Sequence, residues 1–250
     1  MDKQIVVNIR NLTKFYKGRV DPAVDDLNLQ ICEGEFYGLL GPNGAGKTTT
    51  ISIISSLIKP TKGEVFIDGY DLMKDLPAIK KIIGVVPQEI ALYEKLTAFE
   101  NLFYFGSLYG INKSDLKSRI DFLLERLGLL KYKSTKLNNC SGGIKIRINL
   151  IAGMLHQPKI LILDEPMVGI DVQSRNVIRE FLKELNRDNT TIIYTSHIME
   201  DAEKLCSKLS ILDYGKLVEQ GAPSELINKN SDCNSLEDVF LKLTGQSLRD

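Results

Sequence analysis

The sequence predicts an α/β fold: a core built on a mainly parallel sheet, an antiparallel β subdomain at the N-terminus, and a helical subdomain. Three observations predict it. Apolar runs such as Ile160-Leu-Ile-Leu163 and Thr191-Ile-Ile-Tyr194 lie between helical segments, the alternation expected of a parallel sheet. The N-terminal stretch mixes strand patterns with turns. Residues 97–128 change character and read as two helices in succession.

The elements follow in chain order. Val6-Val-Asn-Ile-Arg10 alternates weakly and Leu27-Asn-Leu-Gln-Ile31 clearly, so both read as strands. Glu35-Phe-Tyr-Gly-Leu-Leu40 is a short apolar run bounded by glycines, as a buried strand is. Thr48 to Leu57 reads as a helix with Ile51, Ile54 and Ser55 on one face. Val65-Phe-Ile-Asp-Gly69 ends in an Asp-Gly turn signal, and Lys81-Ile-Ile-Gly-Val-Val-Pro87 reads as a buried strand stopped by proline. The two helices are Ala98 to Tyr109 and Ser114 to Leu127, separated by Gly110-Ile-Asn, with Ser114 as the expected N-cap. Ser210 to Val218 reads as a hairpin, and short helices are expected around Ser224–Asn228 and Leu236–Leu243. No internal repeat or low-complexity linker interrupts the chain.

Composition bounds the function. A chain of 250 residues, 43% hydrophobic and 26% charged, suits a globular protein with a sizeable core. Lys+Arg and Asp+Glu both number 32, and zero net charge argues against bulk attraction to nucleic acid or anionic membrane. No apolar run approaches the length of a membrane-spanning helix, and Met1-Asp-Lys-Gln-Ile-Val-Val7 does not read as a secretory signal. Cys32, Cys140, Cys206 and Cys233 are scattered without a C-x-x-C pair. They read as reduced thiols of a cytosolic protein. His156 and His197 are the only histidines, too few for a histidine-rich metal site.

The chemistry starts at residues 41–49. Gly41, Pro42, Asn43, Gly44, Ala45, Gly46, Lys47, Thr48 and Thr49 match the phosphate-binding pattern G-x-x-x-x-G-K-[ST]. A strand precedes them and a helix follows, which aims backbone N–H groups and the positive helix end at an anion. Gly44 and Gly46 let the backbone wrap close to phosphate oxygens. Lys47 supplies a cation for the outer phosphates, and Thr48 a hydroxyl for Mg²⁺. The competing reading is a glycine turn that happens to precede a lysine, and the strand–loop–helix context disfavours it.

Ile160-Leu-Ile-Leu163 runs into Asp164 and Glu165. Ligands of parallel sheets sit at the carboxyl ends of strands. Asp164 is therefore expected to hold Mg²⁺ directly or through water, and Glu165 to orient or deprotonate an attacking water. Ser141, Gly142 and Gly143 lead into a second helix, whose N-terminus is another anion site with a hydroxyl cap. Two such termini far apart in sequence suggest a nucleotide clamped between two surfaces.

This arrangement resembles the ATP-binding cassette (ABC) family over nearly the whole chain, specifically the nucleotide-binding subunit of a transporter. The resemblance implies a P-loop NTPase core and ATP with Mg²⁺ as ligands. Gln88, in Val86-Pro-Gln88, is similar to the family's Q-loop glutamine, which contacts Mg²⁺ or water. Cys140-Ser-Gly-Gly-Ile-Lys-Ile-Arg147 looks like the signature motif. Asp164 and Glu165 match the magnesium carboxylate and the catalytic glutamate. Gly169-Ile-Asp171 matches the D-loop, Thr195-Ser-His197 the switch histidine, and Tyr16 the aromatic that stacks on adenine. A half-buried strand aromatic is the competing reading of Tyr16.

In that family two subunits sandwich two ATP molecules, and the signature of one completes the site on the other. The resemblance thus implies a second cassette and an integral membrane permease as partners, with no nucleic acid. It places the chain in the cytoplasm, peripheral on the inner face of the cell membrane. One ABC ATPase domain is expected over 1–250: a core lobe of about 1–90 and 155–222, a helical lobe of about 91–154 and a helical tail of about 223–250. Met199-Glu-Asp-Ala-Glu-Lys-Leu-Cys206 and Ser235 to Gly245 look like the drug-, ion- and lipid-exporting branch. The chain departs from the family pattern at Cys140, where leucine is usual, at Ile146, which interrupts two basic residues, and at Met167, where threonine is common. Two other readings stand beside this one: a soluble non-transport ABC ATPase acting on nucleic acid or ribosomes, and a module that binds ATP without hydrolysing it. Asn112-Lys-Ser-Asp115 matches the guanine-reading N-K-x-D pattern, but it falls between two helices and no D-x-x-G motif accompanies it.

Overall fold

A computed structural model describes residues 4–245. Met1–Lys3 of the expected leaderless N-terminus and the last five residues of the expected tail lie outside the described residues. The chain divides into two units, one formed by residues 1–80 and 191–250 and the other by residues 81–190.

The first unit opens with an antiparallel sheet. Strands β1 (Ile5–Lys14), β2 (Val24–Cys32), β4 (Lys62–Ile67) and β5 (Tyr70–Asp71) lie in the order β2-β1-β4-β5. Val7 pairs with Ile31 and Ile67, and Ile9 with Leu29 and Val65, so one face of each strand is apolar and buried. That face is what anchors the sheet, and truncating a fully buried isoleucine such as Ile9 to alanine costs about 2–5 kcal/mol. The strand β1 outruns the expected Val6–Arg10. At Asn11 the backbone turns left-handed (φ 48°) and the register shifts between Ile9 and Leu12. Such a bulge breaks the period of two, so Leu12 is buried at a parity the sequence pattern hides. Asn11 holds the bulge by donating twice, its Nδ2 to Asp26 Oδ1 at 2.9 Å and its backbone N–H to Asn28 Oδ1 at 2.9 Å.

The same unit carries β3 (Phe36–Leu40), α1 (Lys47–Ile54), β8 (Thr191–Ser196), α7 (Met199–Leu205), β9 (Lys208–Asp213) and β10 (Lys216–Gly221). Strands β8 and β9 flank β3 in parallel, and β10 closes the hairpin against β9. All five β3 residues are buried, as strands covered on both faces must be. The Tyr37 hydroxyl is buried with them and meets Ser210 Oγ at 2.5 Å and Gln220 Nε2 at 2.9 Å. Helices α8 (Pro223–Lys229) and α9 (Leu236–Thr244) end the described chain.

The second unit contains the parallel pair β6 (Ile83–Val86) and β7 (Ile160–Asp164) and the helices α3 (Ala98–Leu108), α4 (Lys113–Arg126), α5 (Gly142–Met154) and α6 (Val172–Arg187). Helix α3 begins with a capping box: Thr97 Oγ1 accepts from the Glu100 N–H, and Glu100 Oε2 accepts from the Thr97 N–H. Two expectations are corrected here. Ser114 is not the N-cap of α4; Asn112 is, its Oδ1 accepting from the Ser114 N–H at 3.0 Å. The helix already starts at Lys113, which puts Ser114 inside its first turn, and the same bond uses the N-K-x-D asparagine for capping. The strand expected from Lys81 starts at Ile83, because helix α2 (Leu76–Ile82), with Pro77 in its first turn, continues through Lys81. Among the described residues no helix is long and apolar enough to cross a membrane.

His156, just after α5, joins three parts of this unit. Its Nε2 donates to the Ile83 carbonyl at 2.9 Å, and the Tyr109 ring stacks on it at 3.8 Å, 3° from parallel. Its Nδ1 is buried without a partner. Burial pushes the imidazole below its ordinary value of 6.5, the bond to Ile83 opposes this, and the Arg119 charge adds to it. The folded state therefore favours neutral His156. Its contribution is full above the unfolded value and is lost as pH falls below 6.5, where the unfolded chain takes the proton more readily. The melting temperature should fall between pH 7.5 and pH 5.5, and His156→Gln should reduce that fall. An identical pH dependence in parent and variant would contradict it.

Candidate functional site

The loop between β3 and α1 is held from below. Ala45 O accepts from the Gly215 N–H at 3.1 Å, and Ala45 N–H donates to Pro42 O at 3.2 Å. Gly215, in the β9–β10 turn, in turn accepts from Asp25 N–H at 2.8 Å. Gly46 is left-handed (φ 100°), and a Cβ there would lie 2.5 Å from the Ala23 carbonyl oxygen. Gly46 is also the N-cap of α1 and offers no side chain to cap the first-turn N–H groups. These donors face outward in the way an anion requires. Lys47, which is 5% exposed, folds its ammonium back to donate to Gly41 O at 2.7 Å and Pro42 O at 3.1 Å. Thr48 is exposed at the mouth, while Thr50 turns inward and donates to Gly46 O.

Two further residues of the same unit gather at this loop. Tyr16 lies past the end of β1 on an exposed loop rather than in a strand, and its hydroxyl is 3.4 Å from Thr49 Oγ1. The Lys14 ammonium stands over its ring at 5.5 Å. Leu40 pairs with Ser196, so Gly41 and His197 leave the same ends of adjacent parallel strands. Ser196 Oγ accepts from the Ile198 N–H at 2.8 Å, which turns the chain tightly around the exposed His197.

The second unit gathers the carboxylates. Val86 pairs with Leu163, so Gln88 and the Asp164–Glu165 pair also leave the same ends of adjacent parallel strands. Asp164 is 6% exposed. Gln88 Nε2 donates to Glu165 Oε2 at 3.4 Å. Glu165 is left-handed (φ 48°), an uncommon conformation for a residue with a Cβ, which costs of order 1–3 kcal/mol and clusters at functional sites.

At the start of α5, Gly143 is packed so closely that a Cβ would lie 2.5 Å from Ser174 Oγ and 3.0 Å from Asp171 Oδ2. Asp171 caps α6 by accepting from the Ser174 N–H at 2.8 Å. That backbone bond, and then the Ser174 hydroxyl, hold its carboxyl below the usual range. Ser141 departs from expectation. It has N-cap backbone angles, yet its hydroxyl makes no cap bond; only its carbonyl is used, by Ile144 and Lys145 N–H. Gly142 is exposed, and a Cβ there would meet nothing within 4 Å. One residue escaped the sequence reading. Asn149, on α5, is buried and donates to Pro87 O at 3.3 Å, beside Gln88. Its signal was a polar residue inside the apolar run Ile148-Asn-Leu-Ile151.

Residues 24–168 match the ABC transporter family. The chain belongs to that family. It is 44% identical to the linearmycin resistance ATP-binding protein LnrL of Bacillus subtilis over 90% of this chain and 71% of that one. It is 40% identical to the ABC transporter ATP-binding protein NatA of the same organism, covering 84% and 86%. The doxorubicin resistance ATP-binding protein DrrA of Mycobacterium tuberculosis is 33% identical over all of this chain and 73% of its own. Among solved structures, an ATP-binding subunit of an ABC transporter superposes with a TM-score of 0.86 at 27% identity, covering 95% and 99%. A cassette solved as a dimer in a post-hydrolysis state with ADP and Pi superposes at 0.79 and 30% identity, covering 86% and 98%. The chain is thus an ATP-binding, ATP-hydrolysing cassette of a transporter.

The ABC cassette's loop geometry separates two substitutions that composition alone would equate. Gly44→Ala and Gly46→Ala both place a Cβ on a left-handed residue, but only at 46 does that Cβ strike a carbonyl. Gly44→Ala should cost about 1–2 kcal/mol, and Gly46→Ala should cost several-fold more in thermal melts and also lose ATP binding. Equal losses would place the constraint elsewhere.

Proposed function

We propose that this chain powers an export-type ABC transporter by closing with a second cassette around ATP. The observation that carries the proposal is the start of α5. Ser141 has a hydroxyl not spent on its own helix, and Gly142 is exposed with open space around it, while Gly143 is fixed by close packing. This is a helix N-terminus prepared for a ligand outside the chain. The export assignment rests on relatives whose names specify antibiotic resistance.

In this reading the backbone of Gly41 to Thr49 and the Lys47 ammonium bind the phosphates, and Tyr16 packs on adenine. Thr48, Asp164 and Gln88 supply hard oxygen donors, a set that suits Mg²⁺. Mg²⁺, when bound, neutralises charge on the phosphates. Glu165 accepts the proton of the attacking water, and its left-handed backbone aims the carboxylate. His197 stabilises the γ-phosphate end. Asp171 holds the partner-facing edge by fixing Gly143. The segment 91–154 forms the lobe that meets an integral membrane permease, with the cassette on the cytoplasmic face.

Two experiments test this. Glu165→Gln keeps the shape and removes the base, so ATP should bind as in the parent while hydrolysis falls by roughly 10²–10⁴. Parental turnover would remove Glu165 from the chemistry. Specific ATPase activity should rise with protein concentration, because each site is completed by a second chain. Gly142→Asp should fold normally, bind ATP and abolish that rise, since like charges in a desolvated gap cost several kcal/mol. Activity independent of concentration, together with normal hydrolysis by Gly142→Asp, would refute the sandwich.

A further inference from the structure

Lys14 ends β1 at the base of an exposed loop, residues 15–22. The loop is closed where the Ala23 N–H donates to Lys14 O at 2.8 Å, and the Phe15 N–H donates to Thr61 Oγ1 at 3.0 Å. Farther out it carries Gly18, with φ 85°, and Val20, which is 91% exposed. Tyr16 stands in this loop and is 38% exposed. A ring so placed turns between rotamers unless groups outside the loop hold it. Two groups do. Thr49 Oγ1, on α1, lies 3.4 Å from its hydroxyl at the ring's edge. The Lys14 ammonium stands over its face, 5.5 Å from the centroid.

That ammonium is itself anchored. Lys14 Nζ donates to Lys59 O at 2.7 Å, in the segment that follows α1. The length is that of a charge-assisted bond, about twice as strong as a neutral one. A lysine at a strand end ordinarily keeps its ammonium in water. This one ties together the end of β1, the Tyr16 ring and the chain just beyond the phosphate-loop helix.

A cation over an aromatic face is attracted by the ring's quadrupole. It also occupies that face, so a planar base stacks only on the other. The base then meets a ring whose plane is already set and whose free face the cation has made less negative, which favours an electron-rich partner such as adenine.

We propose that Lys14 is a positioning residue for the nucleobase: its ammonium, anchored on Lys59 O, holds the Tyr16 ring in the plane on which adenine stacks. The inference rests on the reading of Tyr16 as the adenine-stacking side chain. Lys14 acts on the base through that ring and takes no part in holding the phosphates.

ATP and sodium tripolyphosphate, which has the phosphates and no base, are titrated calorimetrically into the purified chain with Mg²⁺ at constant ionic strength. Lys14→Met removes the charge and the donor. It should weaken ATP about two- to fivefold and leave tripolyphosphate affinity as in the parent. In the ATPase assay the loss should fall on KM. Lys14→Arg keeps a cation that stacks on rings and donates, and it should recover most of the lost ATP affinity. Tyr16→Ala should weaken ATP by at least as much as Lys14→Met. Adding Lys14→Met to Tyr16→Ala should cost nothing further, because both act through one ring. If Lys14→Met does not fold, Lys14→Gln takes its place with the same expectations.

Parental ATP binding by the folded, uncharged variant while Tyr16→Ala is impaired overturns the role of Lys14 and leaves the stacking reading standing. Parental ATP binding by Tyr16→Ala overturns the stacking reading, and the role of Lys14 with it. Equal losses of ATP and tripolyphosphate, or additive losses in the double variant, also overturn the proposal, because the charge then acts on the phosphates directly.

Discussion

The backbone between Leu40 and Lys47 has to present N–H groups outward while remaining pressed against the strands beneath it. Glycine at 41 and 46 meets both demands. A Cβ at Gly41 would lie 2.6 Å from the Leu212 carbonyl, and one at Gly46 would lie 2.5 Å from that of Ala23. The loop is therefore not a flexible glycine linker. It is a rigid shell tied through Ala45 and Gly215 to the β9–β10 turn and, through Asp25, to β2. The antiparallel sheet and the hairpin thus act as the footing of the phosphate loop. A preorganised set of donors binds an anion without first having to order itself.

The second unit applies a different constraint to a similar end. Parallel pairing of β6 and β7 brings Gln88 and Glu165 to one edge, and the left-handed backbone at Glu165 sets where the carboxylate stands. Here the chain accepts strain and an exposed polar contact in place of close packing. Asn149 secures the arrangement from α5 by tying down the carbonyl just before Gln88. The same helix fixes its N-terminus through Gly143 against Asp171 and Ser174. One helix therefore links the edge that carries the carboxylates to the exposed turn at Ser141 and Gly142.

Corrections to the sequence reading share a physical theme: local hydrogen bonds chose among residues that propensity ranks alike. Asn112 and Ser114 are both good N-caps, and only the loop geometry gave the cap to Asn112. Ser141 sits at a cap position with cap angles and still leaves its own helix uncapped by side chain. The β1 bulge at Asn11 concealed half of a strand, because a single left-handed residue shifts the parity on which alternation depends. Asn149 drew no reading at all, since nothing local says which carbonyl its amide will reach.

By itself the sequence determined the α/β class, the strand–loop–helix at 36–54, the strand leading to Asp164 and Glu165, and the closing hairpin. These follow from short-range physics: hydrophobic period, the turn preferences of glycine and proline, and a motif whose spacing is its geometry. Tertiary structure alone decided that His197 leaves the same sheet edge as Gly41, that Gln88 reaches Glu165, and that Asn149 reaches the Pro87 carbonyl. Each of these depends on strand order or on the face of a helix that packing selects. Residues far apart in sequence meet there only because burying the apolar strands leaves the chain that arrangement of its ends.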